Sequence, residues 1–81
     1  MHTVSIARSI VETVKVYAER EGIKKVTKIG LAIGGYSCIE PSSISFCFDI
    51  VKKDTIVKDA VLDIKRAAGG DDIKVVYIEG E

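Results

Sequence analysis

The chain has 81 residues, 47% of them hydrophobic, and its twelve basic and twelve acidic side chains give a formal net charge of zero. This length allows one core in a single domain, 1–81, and the balanced charge argues against nucleic-acid binding. No apolar run approaches the roughly 18 residues of a membrane span, and the N-terminus lacks a signal-peptide pattern, so we expect a cytoplasmic protein.

The first segment, from Thr3 to Glu21, is predicted to be an amphipathic helix. Its apolar residues recur at spacings of three and four, which places them on one helical face. They are Val4, Ala7, Ile10, Val11, Val14, Tyr17 and Ala18. Thr3 is a candidate N-cap, and Gly22 follows the last apolar residues as a C-terminal glycine commonly does.

A strand is predicted between Lys24 and Gly34, because apolar residues alternate there with small or charged ones. The alternating apolar residues are Ile29, Leu31 and Ile33. Gly34 and Gly35 then begin a loop. They do not belong to a G-x-G-x-x-G dinucleotide motif, so we interpret them as turn residues.

The segment from Ser42 to Val51 fits two periodicities. As a strand it would alternate Ile44, Phe46, Phe48 and Ile50. As a helix it would bury Ile44, Cys47, Phe48 and Val51. Pro41 just before it favours a helix, because proline is accommodated at a first helical position.

Two further strands are predicted, from Asp59 to Arg66 and from Ile73 to Glu79. The glycine-rich connection 67–72 suits a tight reversal, so we expect these two strands to form a hairpin. The predicted fold is α+β in the order α-β-α-β-β. Two helices would pack on one face of a three-stranded, mainly antiparallel sheet.

The residues that could carry chemistry are few. There is one histidine, His2, and no nucleophile paired with a base, so we do not expect an enzyme. Cys38 and Cys47 do not form a C-x-x-C pair, and reduced thiols are expected.

His2 and the amine of Met1 together offer an amine, an amide and an imidazole nitrogen, a set that suits square-planar nickel(II) or copper(II). The alternative is a frayed terminus, which the residues alone favour.

Three stretches together resemble one family. They are MH-x-x-SIA-x-SIVE at the start, KKVTK-x-x-L-x-IG in the first strand, and IEPSSISFCFDIV after the loop. The chain resembles the HypA/HybF-type hydrogenase nickel-incorporation proteins, metallochaperones that help to insert nickel into [NiFe]-hydrogenases and in some bacteria supply urease. The resemblance implies nickel(II) at the terminal amine of Met1 and at the amide and side chain of His2. It also implies a helix over Ser42–Val51.

The resemblance further implies two partners, a maturation GTPase and the hydrogenase large subunit. Two departures from the family pattern bear on function. Thr3 stands where the family typically has a glutamate, which puts nickel affinity in doubt. The family's zinc domain, built on two C-x-x-C pairs, is replaced by the short loop 67–72, so no structural zinc is expected.

The missing zinc half has two possible origins, a natural relative without zinc or removal of the domain by engineering, and both leave the same predicted fold. Loss of a neighbouring domain would expose apolar surface and so permit a homodimer. The same losses also motivate a second functional hypothesis, a metal-free protein–protein interaction module on the same scaffold. Cys38 could bind nickel or a partner protein, although an ordinary reduced loop cysteine is the simpler interpretation.

Overall fold

The structure is a computed structural model that describes residues 2–81, apart from the side chain of His2. Two helices and three strands follow one another in the predicted order α-β-α-β-β, and the predicted α+β fold class is confirmed. The elements are α1 (His2–Glu21), β1 (Val26–Ile33), α2 (Pro41–Val51), β2 (Val61–Arg66) and β3 (Ile73–Gly80).

The first helix closes as its sequence predicts. Gly22 adopts a φ of 70°, and the amides of Ile23 and Gly22 donate to the carbonyls of Ala18 and Glu19 at 2.8 and 3.3 Å. This is the Schellman arrangement, in which a left-handed glycine satisfies the last helical carbonyls. The start differs by one residue: α1 begins at His2, so Thr3 lies within the first turn and is not the N-cap.

The ambiguous segment is a helix, as Pro41 at its first position indicated. Ile44, Cys47 and Phe48 are buried, whereas Phe46 is 68% exposed and Ile50 is 52% exposed. The strand pattern in this segment therefore has no structural counterpart. Alternate apolar residues arise here because α2 carries apolar side chains on both its buried and its exposed face.

The predicted hairpin between the last two strands is wrong. The sheet order is β2-β1-β3, with β2 parallel to β1 and β3 antiparallel to it. The strand with the most deeply buried side chains, β1, takes the centre, and the crossover through α2 returns the chain parallel to it. Loop 67–72 then carries the chain past the end of β1 to the opposite edge. The composition of loop 67–72 predicted that the chain reverses direction, but it could not show that β1 lies between the two strands that the loop joins.

The core lies between the two helices and one face of the sheet. Its largest fully buried side chains come from α1, β1, α2 and the turn before β2. They are Phe48, Ile29, Leu31, Ile33, Ile44, Val14, Val26 and Val57. Neither α1 nor α2, the helices of the described residues, combines the length and hydropathy needed to cross a bilayer.

Candidate metal centre at the start of the first helix

The candidate nickel ligands lie where α1 begins. The backbone of His2 is the first helical residue, while Met1 and the side chain of His2 lie outside the described residues. The first four amides of a helix have no intrahelical acceptor, so the amide of His2 is not held by the α1 hydrogen-bond ladder. The first turn also contains no acidic side chain, since position 3 is a threonine.

A groove of about 410 Å³ runs beside the first turns of this helix. Ser5 and Ile6 of α1 form one wall at its N-terminal end, and Ile39 and Asp71 come from the two loops that face it. His2 lies one turn before Ile6 on the same helix. The groove therefore brings loop residues from two distant parts of the chain close to the start of α1.

The loop that carries Ile39 is shaped by its own hydrogen bonds. The amide of Ser37 donates to the carbonyl of Gly34 at 3.0 Å, and the Ser37 hydroxyl accepts from the amide of Ile39 at 3.2 Å. Arg66, at the end of β2, donates from Nη1 to the carbonyls of Gly34 and Ser37, both at 3.5 Å. These contacts hold the loop backbone and leave the thiol of Cys38 exposed.

The short connection 67–72 is docked on the same loop. Its carbonyls accept three amides: Gly34 donates to Asp72 at 2.7 Å, Gly35 to Gly69 at 3.3 Å and Tyr36 to Gly70 at 2.8 Å. A Cβ on Gly34 would overlap the carbonyl of Gly70, and one on Gly35 would lie 2.7 Å from the carbonyl of Ala67. Both glycines are turn residues, as predicted, and both are also required by this close backbone approach.

Sequence reasoning missed this docking and the position of Asp71. The available indication was a pair of glycines in each loop, Gly34–Gly35 and Gly69–Gly70, because paired glycines permit two backbones to meet. No local pattern said that these two loops are neighbours. That proximity arises because β1 separates β2 from β3 and the chain must pass the end of β1.

The two cysteines differ in what they can do. Cys47 faces the core from α2 and is 8% exposed, so its thiol packs as a small apolar group. Cys38 is exposed on the loop that flanks the groove. Within residues 3–81, whose side chains are described, no three or more His, Cys, Asp or Glu residues are grouped as a metal site.

The family model for hydrogenase/urease nickel incorporation, the metallochaperone HypA, matches residues 1–71. The chain belongs to the HypA family. Its relatives include the hydrogenase maturation factor HypA of Actinobacillus succinogenes, 42% identical over 59 residues that cover 73% of this chain and 52% of the relative. The factor of the same name from Dehalococcoides mccartyi is 38% identical over 66 residues, or 82% of this chain and 56% of the relative. The chain thus spans about half the length of the curated relatives it matches.

Solved structures of HypA proteins share the fold. The solution structure of the Ni metallochaperone HypA from Helicobacter pylori matches with a TM-score of 0.85, 15% identity and 95% coverage of both chains. A second HypA solution structure matches with a TM-score of 0.79 and 17% identity, covering 100% of this chain and 97% of the other. At these identities the likeness concerns the fold alone. Membership of the HypA family is carried by the match over residues 1–71.

Proposed function

We propose that this HypA-family chain is a nickel-binding accessory protein for [NiFe]-hydrogenase maturation, holding nickel(II) as cargo at the amine of Met1 and at the amide and imidazole of His2. The observation that carries the proposal is the family match, which begins at residue 1 and so includes both proposed ligands. The start of α1 at His2 supports it, because the ligand amide then belongs to the unbonded first turn.

The position at a helix start has a chemical consequence. Nickel that binds an amide nitrogen displaces the amide proton. In the first turn of a helix this breaks no helical hydrogen bond, because the amide has no intrahelical acceptor there. The positive end of the helix dipole opposes a bound cation, and the negative charge of the deprotonated amide offsets this. Three nitrogen donors held in two adjoining chelate rings also favour square-planar coordination.

Delivery rather than catalysis is the role that these residues support. The sequence shows no nucleophile paired with a base, and its sole histidine, His2, is the proposed ligand. We propose that the protein acts in the cytoplasm and passes nickel to a maturation GTPase and then to the hydrogenase large subunit. The docked loop 67–72 would stand where other members of the family carry their zinc domain, so no structural zinc takes part.

Calorimetric titration of nickel into the metal-free protein with its native N-terminus tests this proposal. The native chain is expected to bind about one equivalent, and His2→Ala or an acetylated N-terminus to bind none, because each change removes a ligand. Cys38→Ser is the matched control: it removes the exposed thiol of the loop beside the groove and should leave binding unchanged. Stoichiometric binding that survives His2→Ala would refute the site.

A metal-free interaction module is the second candidate. The absence of an acidic residue from the first turn of α1 favours it, since a carboxylate beside a divalent cation would strengthen binding. Under this hypothesis neither the native chain nor its variants bind nickel, and a partner is captured equally well by the native chain and by His2→Ala. Capture that requires nickel would exclude it.

A further inference from the structure

The groove beside α1 has a single charged side chain among the described residues that line it, the carboxylate of Asp71. The rest of its lining is apolar or carries a hydroxyl: Ser5, Ile6, Ser9, Ile10, Thr13, Ile39, Ile73 and Val75. Apolar walls lower the local dielectric constant and so strengthen the attraction between a carboxylate and a cation. The groove therefore offers one anionic oxygen donor, and no basic side chain of its described lining neutralises it.

The carboxylate of Asp71 is available to a ligand. Its side chain is exposed, and it forms neither an ion pair nor a hydrogen bond with another described residue. The carboxylate of Asp63, by contrast, is already bonded to the hydroxyl of Tyr77. A cation that binds Asp71 therefore displaces no protein partner.

The backbone on both sides of Asp71 is held in place. The carbonyl of Gly70 accepts the amide of Tyr36 at 2.8 Å, and the carbonyl of Asp72 accepts the amide of Gly34 at 2.7 Å. Asp71 thus lies between two anchored peptide groups. This anchoring lowers the entropy that a ligand would lose by ordering the loop, which is the general advantage of a preorganised site.

The topology places Asp71 at the same end of the molecule as the start of α1. β3 pairs antiparallel with β1, and α1 reaches the start of β1 through the short connection 22–25. α1 and β3 therefore both begin where β1 ends. Ile6 of α1 and Ile73 of β3 line the same groove. Four helical residues separate Ile6 from His2, about 6 Å, and the two residues from Ile73 back to Asp71 span at most about 6.6 Å. The backbones of His2 and Asp71 thus reach about the same level.

The proposed nickel site has room for one more donor. The amine, amide and imidazole nitrogens of Met1 and His2 occupy three positions of a square plane, so a fourth remains. The first turn of α1 has no acidic side chain to fill it. A carboxylate oxygen is a suitable donor to nickel(II) beside nitrogen ligands. Its negative charge also offsets the repulsion between the cation and the positive end of the helix dipole.

We propose that the carboxylate of Asp71 is a further nickel ligand, which completes the coordination of the metal held by Met1 and His2. This inference rests on the proposed function and adds to its site a residue from a distant part of the chain. Loop 67–72 then supplies the acidic group that the first turn of α1 lacks.

Calorimetric titration with nickel measures the contribution of Asp71. Asp71→Asn should raise the Kd for nickel about tenfold, because a neutral amide replaces an anionic oxygen donor. Asp72→Asn is the matched control. Asp72 is also exposed, but it lines a separate cavity with Ala32 and Lys74, so its loss should change the Kd by no more than about twofold. Equal weakening by the two variants would overturn the assignment, because the effect would then come from net charge.

A thiol at residue 71 gives a direct spectroscopic test. In a Cys38→Ser background, where the remaining thiol of Cys47 is buried, Asp71→Cys places a thiolate at the position of the proposed ligand. The nickel-loaded variant should show a thiolate-to-nickel charge-transfer band in the near ultraviolet, and Asp72→Cys should not. Far-ultraviolet circular dichroism checks that both variants keep the native fold. Nickel bound to folded Asp71→Cys without this band would place residue 71 outside the coordination shell.

The outcomes separate this inference from the proposed function. If the native chain binds about one equivalent and His2→Ala none, while Asp71→Asn binds as tightly as the native chain, the terminal site stands and Asp71 is not a ligand. If the native chain binds no nickel, the proposed function itself fails, and the assignment of Asp71 fails with it.

Discussion

The hydroxyl of Tyr77 donates a hydrogen bond to the carboxylate of Asp63 at 2.5 Å, across the full width of the sheet. Tyr77 lies on β3 and Asp63 on β2, and both are in register with Gly30 of the central strand. The tyrosine ring covers Gly30, where a Cβ would overlap ring atoms. A glycine in the central strand thus allows one side chain to connect the two outer strands.

Gly30→Ala is expected to destabilise the fold by about 1–3 kcal/mol, because the added methyl group displaces the Tyr77 ring and breaks its bond to Asp63. The free energy of unfolding in urea measures this. In a Tyr77→Ala background the same substitution meets no ring and should cost less than about 1 kcal/mol, so the two changes are coupled. An equal loss of unfolding free energy in the native chain and in Tyr77→Ala would show that the Tyr77 ring does not restrict the side chain at residue 30.

The same bond predicts a pH dependence. It raises the pKa of Tyr77 from 10.0 to about 12, chiefly because the neutral hydroxyl donates to Asp63 and secondarily because of desolvation and the nearby carboxylates. The folded chain therefore holds this proton where the unfolded chain releases it. The contribution to stability is complete below pH 10 and is lost as the pH rises toward 12.

Ultraviolet titration of phenolate formation checks this value, with the spectrum of Tyr77→Phe subtracted to isolate the single group. Asp63→Asn removes the charge and weakens the acceptor, so the pKa of Tyr77 should fall back toward 10.0. If the pKa of Tyr77 is unchanged in Asp63→Asn, burial of the ring, and not the bond to Asp63, raises it.

The docking of loop 67–72 predicts that Gly34→Ala is costly. The new Cβ would meet the carbonyl of Gly70, and backbone cannot rotate away as a side chain can, so we expect a loss of about 2–3 kcal/mol. Gly69→Ala is the matched control in the same loop pair: its nearest neighbour, in the ring of Tyr36, would lie 3.7 Å away. Thermal or urea denaturation should therefore separate the two variants clearly.

The two phenylalanines of α2 should differ sharply. Phe48 is 1% exposed, and Phe48→Ala should cost about 3–5 kcal/mol through lost burial and the cavity left behind. Phe46 is 68% exposed, and Phe46→Ala should change stability by no more than about 0.5 kcal/mol. Similar losses of stability in both variants would indicate that Phe46 and Phe48 lie on the same buried face, as they would in a strand.

Replacing Thr3 tests whether the missing carboxylate limits nickel binding. Thr3→Glu places an anion in the first turn of α1 and should lower the Kd for nickel roughly twofold to fivefold. Val16→Glu adds the same charge at an exposed position in the middle of α1 and serves as the control. If both variants tighten binding equally, the gain comes from net charge, and position 3 has no special role.

The sequence by itself determined the local elements of this protein. The periodicity of α1, the left-handed glycine at residue 22, the proline that opens α2 and the alternation in β1 each reflect physics within a few residues, and each is present in the structure. The family motifs are also contiguous stretches of sequence. They indicated the family without knowledge of the fold, because residue types at fixed spacing can be read directly from the chain.

Only the tertiary structure decided which elements are neighbours. The turn-like composition of 67–72 predicted a hairpin, yet β1 lies between β2 and β3 because its buried side chains need partners on both sides. That arrangement brings together Tyr77 with Asp63 and Gly34 with Gly70. Such pairs are far apart in the chain, and their contact depends on burial of the whole sheet, which no local pattern encodes.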